Sequence, residues 1–178
     1  MPWLIFLLLG GALYMGKENL AAAALSNSES FLRWDEALRA AAARYAIPDW
    51  RWLKAMMWQE SALGTAKSVA RGLAAPFDVE GSKSYDGLSW GLMQVTLRTA
   101  RDMKPGVTAQ ELNDPFISID LGARYFSQML RRYKGDPERA VRAYNQGPGN
   151  EDNGKPFADI HLSRVKNFYA QIVAKQGV

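Results

Sequence analysis

Beyond residue 31, apolar residues recur at helical spacing, and no segment alternates convincingly between apolar and polar positions as a strand would. The alanine-rich segment from Trp34 to Tyr45 favours a helix that stops before Pro48. Asp49 is placed to cap a second helix, which is predicted to run from Trp50 to about Leu63. The first part of the pattern therefore predicts two consecutive helices.

The second half of the chain carries clear signals for helix ends. Thr108 and Glu111 have capping-box spacing, while Asp114-Pro115 and Asp136-Pro137 each place an N-cap before a proline. After Asp114, one helical stripe carries Ile119, Phe126, Met129 and Tyr133, and Gly135 ends that helix. A last helix carries His161, Val165, Phe168 and Ile172. These signals predict a compact all-α domain of six or seven helices.

Two segments do not fit this helical pattern. The stretch from Thr65 to Trp90 is too long for a simple connection, so it is predicted to be a functional loop or lid. The run from Trp3 to Gly16 is apolar and uncharged but short for a membrane span. It is interpreted as an uncleaved anchor, a signal peptide or an apolar helix packed on the domain. We divide the chain into an anchor or signal segment (1–25) and a globular domain (26–178), in which Ser26 to Ser30 is a linker.

Composition excludes several kinds of site. The 178 residues, 48% of them hydrophobic, suffice for one domain with a real core. The chain has no cysteine and one histidine, His161, which excludes thiolate chemistry and argues against a catalytic zinc site. We expect neither metal nor cofactor. The net charge of +4 favours binding to an anionic polymer without identifying that polymer. The basic residues themselves are scattered along the sequence.

Glu60 is the first candidate for chemistry. It continues the stripe of Leu53, Met56 and Met57 at spacing i, i+3, i+4 and i+7, so its carboxyl points toward the core side of the helix. Desolvation there would raise its pKa and keep it protonated near neutral pH, as cleavage of a glycosidic bond requires. A structural ion pair with an arginine explains the same spacing equally well. The spacing alone therefore leaves both interpretations open.

Three motifs in order change this balance. They are Trp58-Gln59-Glu60-Ser61, Gly91-Leu92-Met93-Gln94-Val95 and Ala143-Tyr144-Asn145-Gln146-Gly147-Pro148-Gly149. Together they resemble the soluble lytic transglycosylase family of the lysozyme-like superfamily over about residues 48 to 170. The resemblance implies a goose-lysozyme-like helical fold and an enzyme that cuts peptidoglycan glycan strands.

The resemblance also implies roles for individual residues. Glu60 would act alone, first as acid and then as base, to leave a 1,6-anhydromuramoyl end. Ser61, Gly91, Met93, Gln94, Tyr144 and Asn145 would bind substrate. We expect Met93 and Gln94 to line the cleft, Gly91 to admit a ligand close to the backbone, and the Tyr144 hydroxyl to hold the Glu60 carboxyl.

The chain departs from the family at two places. The number of residues between Glu60 and Gly91 is larger than is usual in the family, and the stretch between them contains Asp86. Goose-type lysozymes, which resemble this family, carry aspartates near this motif that help activate water, so hydrolysis is the alternative reaction. His161 stands where the family usually has a tyrosine, and it is interpreted either as a cleft residue or as a core histidine.

Other classes of function are less consistent with the motifs. A wall-binding structural protein would not need Glu60 together with the complete second and third motifs. A nucleic-acid binder would need a clustered basic face, which the sequence lacks. We therefore expect a monomeric catalytic domain that acts on peptidoglycan and is membrane-associated or exported to the periplasm or cell wall. Such a small enzyme suits bacteriophage infection or lysis, or a secretion or conjugation apparatus.

Overall fold

The computed structural model describes residues 28–176. The predicted anchor or signal segment (1–25) lies outside the described residues. Of the described residues, 28–34 belong to one unit, which contains helix α1, Ser28–Leu32. This helix begins inside residues 26–30, the segment that the sequence predicts to be a linker. The second unit begins at Asp35.

In the described part of the second unit, the regular secondary structure is almost entirely helical, which confirms the all-α class. Its α-helices are α2 (Asp35–Arg44), α3 (Arg51–Ser61), α4 (Lys67–Ala74), α5 (Leu97–Met103), α6 (Ala109–Leu112), α7 (Pro115–Arg132), α8 (Pro137–Gln146), α9 (Pro148–Asp152) and α10 (Asp159–Gln176). A 3₁₀ turn, Ala62–Gly64, follows α3. Strands β1 (Ser89–Trp90) and β2 (Val95–Thr96) form one short antiparallel pair, with Ser89 opposite Thr96.

Most of the predicted helix starts are confirmed. Thr108 and Glu111 form a complete capping box at α6. Asp114 accepts hydrogen bonds from the first backbone N–H groups of α7, and Asp136 does the same for α8. Asp49 accepts from the backbone N–H of Arg51 at 3.0 Å, although the N-cap position of α3 is Trp50.

Two predictions about local structure are wrong. The nine helices that lie between residues 35 and 176 exceed the six or seven expected. The stretch from Thr65 to Trp90 is not irregular throughout, because it contains helix α4, and the longest irregular part is residues 75–88. Gly91 lies in the turn between β1 and β2, and α5 begins only at Leu97.

Helices α3 and α10 pack closely and place the end of α3 inside the domain. Leu53, Met56 and Met57 of α3 are fully buried. Trp58 stacks on Phe168 of α10 with ring centroids 4.3 Å apart, and Trp52 of α3 stacks on Tyr169 at 4.4 Å. These contacts bury apolar surface and hold α10 along the face of α3 that carries Glu60.

A second helical pair, α7 and α8, forms the other side of the site. The predicted stripe of α7 is confirmed, since Ile119, Phe126, Met129 and Tyr133 are all buried. Short α9 is fixed to α8 by Glu151, which accepts hydrogen bonds from Arg139 and Arg142 of α8 at 3.0 Å each. Within residues 28–176, no helix has the length and apolar character needed to cross a membrane.

Candidate active site

Glu60 lies in the last turn of α3, where apolar packing ends and a cavity begins. Its side chain is 15% exposed. Burial raises the pKa of Glu60 to about 8, and the negative charge of Asp86 contributes to the rise. The carboxyl is therefore mostly protonated at neutral pH. The structure places this group as the helical spacing predicts, and the group has the protonation state required of a general acid.

A cavity of about 500 Å³ opens in front of Glu60. It collects side chains from all three sequence motifs, because Glu60, Gln94, Tyr144 and Asn145 all line it. The other lining residues are Ser84, Tyr85, Asp86, Ser89, Val95, Thr96, Thr99, Tyr125, Gln146 and Gly147. The wall is thus rich in hydroxyl and amide groups, which can form hydrogen bonds with a polar ligand.

Tyr144 does not hold the Glu60 carboxyl in the predicted way. Its hydroxyl donates to the backbone carbonyl of Met93 at 2.8 Å, so its only proton is already used. Burial, and then the nearby charge of Glu60, raise the pKa of Tyr144 well above its usual value. Tyr144 therefore remains a neutral phenol that ties α8 to the turn between β1 and β2.

Met93 and Gly91 contribute to the architecture of the site and do not form its surface. Met93 is fully buried, and the predicted contact of its side chain with the cleft is wrong. Gly91 has φ of +71°, and a β-carbon there would overlap the Leu112 carbonyl and the Ser118 hydroxyl. Glycine is needed because protein backbone, not a ligand, approaches at this position.

Of the other predicted site residues in the first two motifs, Gln94 lies at the cavity and Ser61 does not. Gln94 lines the cavity, and its side-chain nitrogen donates to the Gly91 carbonyl at 2.8 Å, which leaves its side-chain oxygen available. Ser61 is buried and outside the cavity wall. Its hydroxyl donates to the Met57 carbonyl and accepts from the Gly64 backbone, so it stabilises the chain reversal after α3.

Asp86 reaches the cavity from the irregular segment 75–88. Burial acts to raise the pKa of Asp86, but hydrogen bonds from the Ser84 hydroxyl and from Leu88 and Ser89 outweigh it and hold the pKa below its usual range. Its Oδ1 accepts from Ser84 and from the backbone N–H groups of Leu88 and Ser89, and its Oδ2 accepts from the Ser89 hydroxyl. An ionised carboxylate therefore lies in the same cavity as the neutral acid.

His161 lies behind Glu60, in the first turn of α10. Its Nε2 is 3.5 Å from Oε1 of Glu60, and its side chain is 10% exposed. Burial, and then the charge of Arg164, lower the pKa of His161 to about 4, so the imidazole is neutral at pH 7. His161 is not among the residues that line the cavity.

Sequence reasoning missed several wall residues. Tyr125 lines the cavity next to Tyr144, with ring centroids 5.1 Å apart, and Tyr85 lines it with a fully exposed side chain. Tyr85 could have been found from the sequence, because it directly precedes the candidate residue Asp86. Nothing in the sequence pointed to Tyr125, because it lies just beside the apolar stripe of its helix and not on it. Among residues 28–176, no group of three or more His, Asp or Glu side chains is placed to hold a metal ion.

The chain is similar to known proteins. Residues 36–157 match the family described as the Transglycosylase SLT domain. The membrane-bound lytic murein transglycosylase F of Cellvibrio japonicus (strain Ueda107) is 35% identical over 131 residues, which cover 70% of this chain and 22% of that protein.

A solved structure shows the same fold. The X-ray structure of an inactive mutant of the lytic transglycosylase Slt from Pseudomonas aeruginosa superposes with a TM-score of 0.62 at 23% identity. The match covers 81% of this chain and 24% of that one, so the chain spans less than a quarter of either relative. The family match extends over more than half of the chain and contains Glu60, Gln94, Tyr144 and Asn145. This chain therefore belongs to the Transglycosylase SLT domain family.

Proposed function

We propose that the protein is a lytic transglycosylase that cleaves the β-1,4 bond between N-acetylmuramic acid and N-acetylglucosamine in peptidoglycan. The observation that carries this proposal is the protonated carboxyl of Glu60 at the wall of a polar cavity. The two relatives are both named as lytic transglycosylases, and the first is named as acting on murein. A neutral acid in this position can protonate the oxygen of a bound glycosidic linkage.

The reaction then needs no second protein carboxylate. Glu60 donates its proton to the glycosidic oxygen as the bond from that oxygen to C1 of the muramoyl residue breaks. The substrate's own N-acetyl group stabilises the positive charge that develops at C1. The Glu60 carboxylate next removes the proton of the C6 hydroxyl, and O6 bonds to C1. The product is a 1,6-anhydromuramoyl end, and Glu60 is protonated again.

The other wall residues would bind and orient the glycan. The Asn145 side chain is exposed at the cavity, and the Gln94 side-chain oxygen is available to accept from a sugar hydroxyl or acetamido N–H. Tyr144 would act indirectly by fixing the Met93 carbonyl, and with it the turn that carries Gln94. We also propose that the enzyme works at the cell wall from a membrane-linked or exported position, on the basis of the apolar segment from Trp3 to Gly16.

Mass spectrometry of peptidoglycan digested by the purified protein tests this function. We expect anhydro-ended muropeptides from the wild type and a loss of at least about 100-fold in Glu60→Gln, because the amide cannot donate the acid proton. Glu80→Gln is the matched control, since Glu80 is 86% exposed and outside the cavity wall. A Glu60→Gln variant as active as the wild type would refute the proposal.

Asp86 supports a second candidate, a lysozyme-like hydrolase that uses water. An ionised carboxylate in the cavity of the acid is the arrangement that such enzymes use to activate water. Both Asp86 oxygens already accept hydrogen bonds from protein groups, which makes the carboxylate a weaker base, and we therefore favour the transglycosylase. Reducing ends in the digest, lost in Asp86→Asn, would establish hydrolysis instead.

A further inference from the structure

The imidazole of His161 presents an unsatisfied nitrogen to the candidate acid. Its side chain is nine-tenths buried, and its Nε2 lies 3.5 Å from Glu60 Oε1. Among residues 28–176, this Nε2 has no hydrogen-bond partner. A buried polar atom without a partner is destabilising, so its position beside Glu60 calls for a physical reason.

The charges around the pair favour a neutral imidazole beside a neutral carboxyl. Burial, and then Arg164, lower the pKa of His161, while burial, and then Asp86, raise the pKa of Glu60. The third titratable neighbour is Tyr144 of α8, a neutral phenol whose hydroxyl donates to the Met93 carbonyl. The two groups are therefore both neutral at pH 7, each with an atom able to form a hydrogen bond to the other, and they do not form an ion pair.

We propose that His161 is a positioning residue for Glu60, donating its Nε2–H to Oε1 and so leaving the acid proton on Oε2 for the substrate. This inference rests on the proposed role of Glu60. The hydrogen bond would form when the pair closes by about half an ångström from its present separation, as catalytic hydrogen bonds often tighten on substrate binding.

The proposed bond has a use at each step of the reaction. Before proton donation, Oε1 is the carbonyl oxygen of a neutral acid and accepts a weak bond from His161. After donation, Oε1 belongs to a carboxylate in an apolar setting, and the same N–H forms a stronger, charge-assisted bond. The imidazole never exchanges a proton with Glu60. It stabilises the carboxylate, and it offsets part of the rise in pKa that burial causes.

The tautomer of His161 gives the first test, which needs no variant. His161 is the only histidine in the chain, so nitrogen NMR of the untagged full-length protein in a mild detergent reports on this ring alone. We expect the neutral ring at pH 7 to carry its proton on Nε2. A ring protonated on Nδ1 would overturn the proposal, because Nε2 could then only accept.

Substitution gives the second test. In His161→Phe the donor is lost at nearly constant volume, and the pKa of Glu60, followed by carbon NMR of its carboxyl, should rise by about one to two units. His161→Gln retains an N–H donor and should keep most of the original value. An unchanged pKa of Glu60 in a folded His161→Phe variant would contradict the proposed hydrogen bond.

Kinetics separate positioning from a merely structural role. His161→Phe should lower kcat about 10- to 100-fold with little change in KM and move the basic limb of the pH profile upward with the Glu60 pKa. A loss of activity without a shift of the basic limb of the pH profile would indicate structural damage and overturn the inference. If Glu60→Gln is fully active, the proposed function fails, whereas the two NMR measurements still decide whether the pair exists.

Discussion

At the scale of single residues, Glu60 is the proposed acid of the site and makes the fold less stable. The carboxyl is neutral in the folded protein up to a pKa of about 8, whereas in the unfolded chain it ionises near 4.5. Between these values the unfolded state binds fewer protons than the folded state, so the free energy of unfolding decreases as pH rises. The group that the proposed reaction requires therefore opposes folding at neutral and alkaline pH.

We expect Glu60→Gln to be more stable than the wild type at pH 8, because glutamine keeps the shape of the protonated acid and cannot ionise. The gain follows from the pKa values of 4.5 and about 8 and amounts to roughly 3–5 kcal/mol. It should vanish near pH 4, where the carboxyl is mostly protonated in both states. Urea unfolding of both proteins across this pH range measures the difference.

Glu80→Gln provides the control for this stability measurement. The Glu80 side chain is 86% exposed, so ionisation there involves little desolvation and the variant should follow the wild type at every pH. A Glu60→Gln variant whose stability stays parallel to that of the wild type from pH 4 to 8 would show that Glu60 is not held neutral by the fold.

The site could be predicted residue by residue only where helical geometry decides the direction of a side chain. Glu60 was located by the stripe it shares with Met56 and Met57, which are buried as expected. The predictions for Met93 and Gly91 were wrong because both lie in a turn, where periodicity gives no direction. Whether a glycine admits a ligand or a neighbouring carbonyl depends on contacts with residues far along the chain, such as Leu112.

At the scale of elements, helix α7 supports the turn that carries Gln94. The Met93 backbone N–H donates to the Ser118 hydroxyl at 3.1 Å, and Met93 packs onto Gly122. A β-carbon added at Gly122 would lie 2.5 Å from the Met93 β-carbon. The small residue on α7 therefore sets how closely the turn approaches the helix.

Gly122→Ala tests this support. Replacing glycine by alanine inside a helix normally stabilises it by up to about 1 kcal/mol. Here we expect the opposite, a loss of about 1–3 kcal/mol, because Met93 must move and overpacks the core. The displaced turn should also lower activity. Urea unfolding and peptidoglycan digestion measure the two effects.

Gly149→Ala is the matched control for this prediction. Gly149 lies in helix α9, and a β-carbon there would meet nothing within 4 Å. This variant should be as stable as the wild type or slightly more so. If Gly122→Ala behaves like Gly149→Ala, the turn does not depend on close packing against α7.

The elements that sequence reasoning missed are short. Helix α4 has eight residues, of which only Val69 and Gly72 are buried, so its apolar positions do not repeat over enough turns to be recognised. Strands β1 and β2 have two residues each, too few for alternation to be recognised. By contrast, α7 and α8 were found because an aspartate followed by a proline marks each start.

At the scale of the whole molecule, the candidate site depends on contacts between the two ends of the second unit. The family match stops at residue 157, yet α10 lies beyond it and carries His161 and the rings that stack on α3. Tyr169 donates to Asp49 at 2.6 Å, and Gln176 donates to Asp35 at 2.7 Å. Local patterns predicted α10 as a helix but could not reveal these distant partners.

The pairing of Trp58 with Phe168 lets the dependence of the acid on α10 be measured. Trp58 is two residues before Glu60, and its ring lies 4.3 Å from that of Phe168. We expect Phe168→Ala to destabilise the protein by about 3 kcal/mol, the low end for deletion of a core phenylalanine, because the ring is only partly buried. Looser packing should also admit water to Glu60, lower its pKa and move the basic limb of the activity profile to lower pH.

Phe116→Ala serves as the control for Phe168→Ala, since Phe116 is 65% exposed and its loss should cost less than about 0.5 kcal/mol. Urea unfolding gives the stabilities of both variants, and peptidoglycan digestion measured across a range of pH gives the position of the basic limb. A large loss of stability without a shift of the basic limb would mean that α10 stabilises the fold but does not affect the pKa of Glu60. A downward shift confined to Phe168→Ala would mean that the helix beyond the family match helps keep Glu60 protonated.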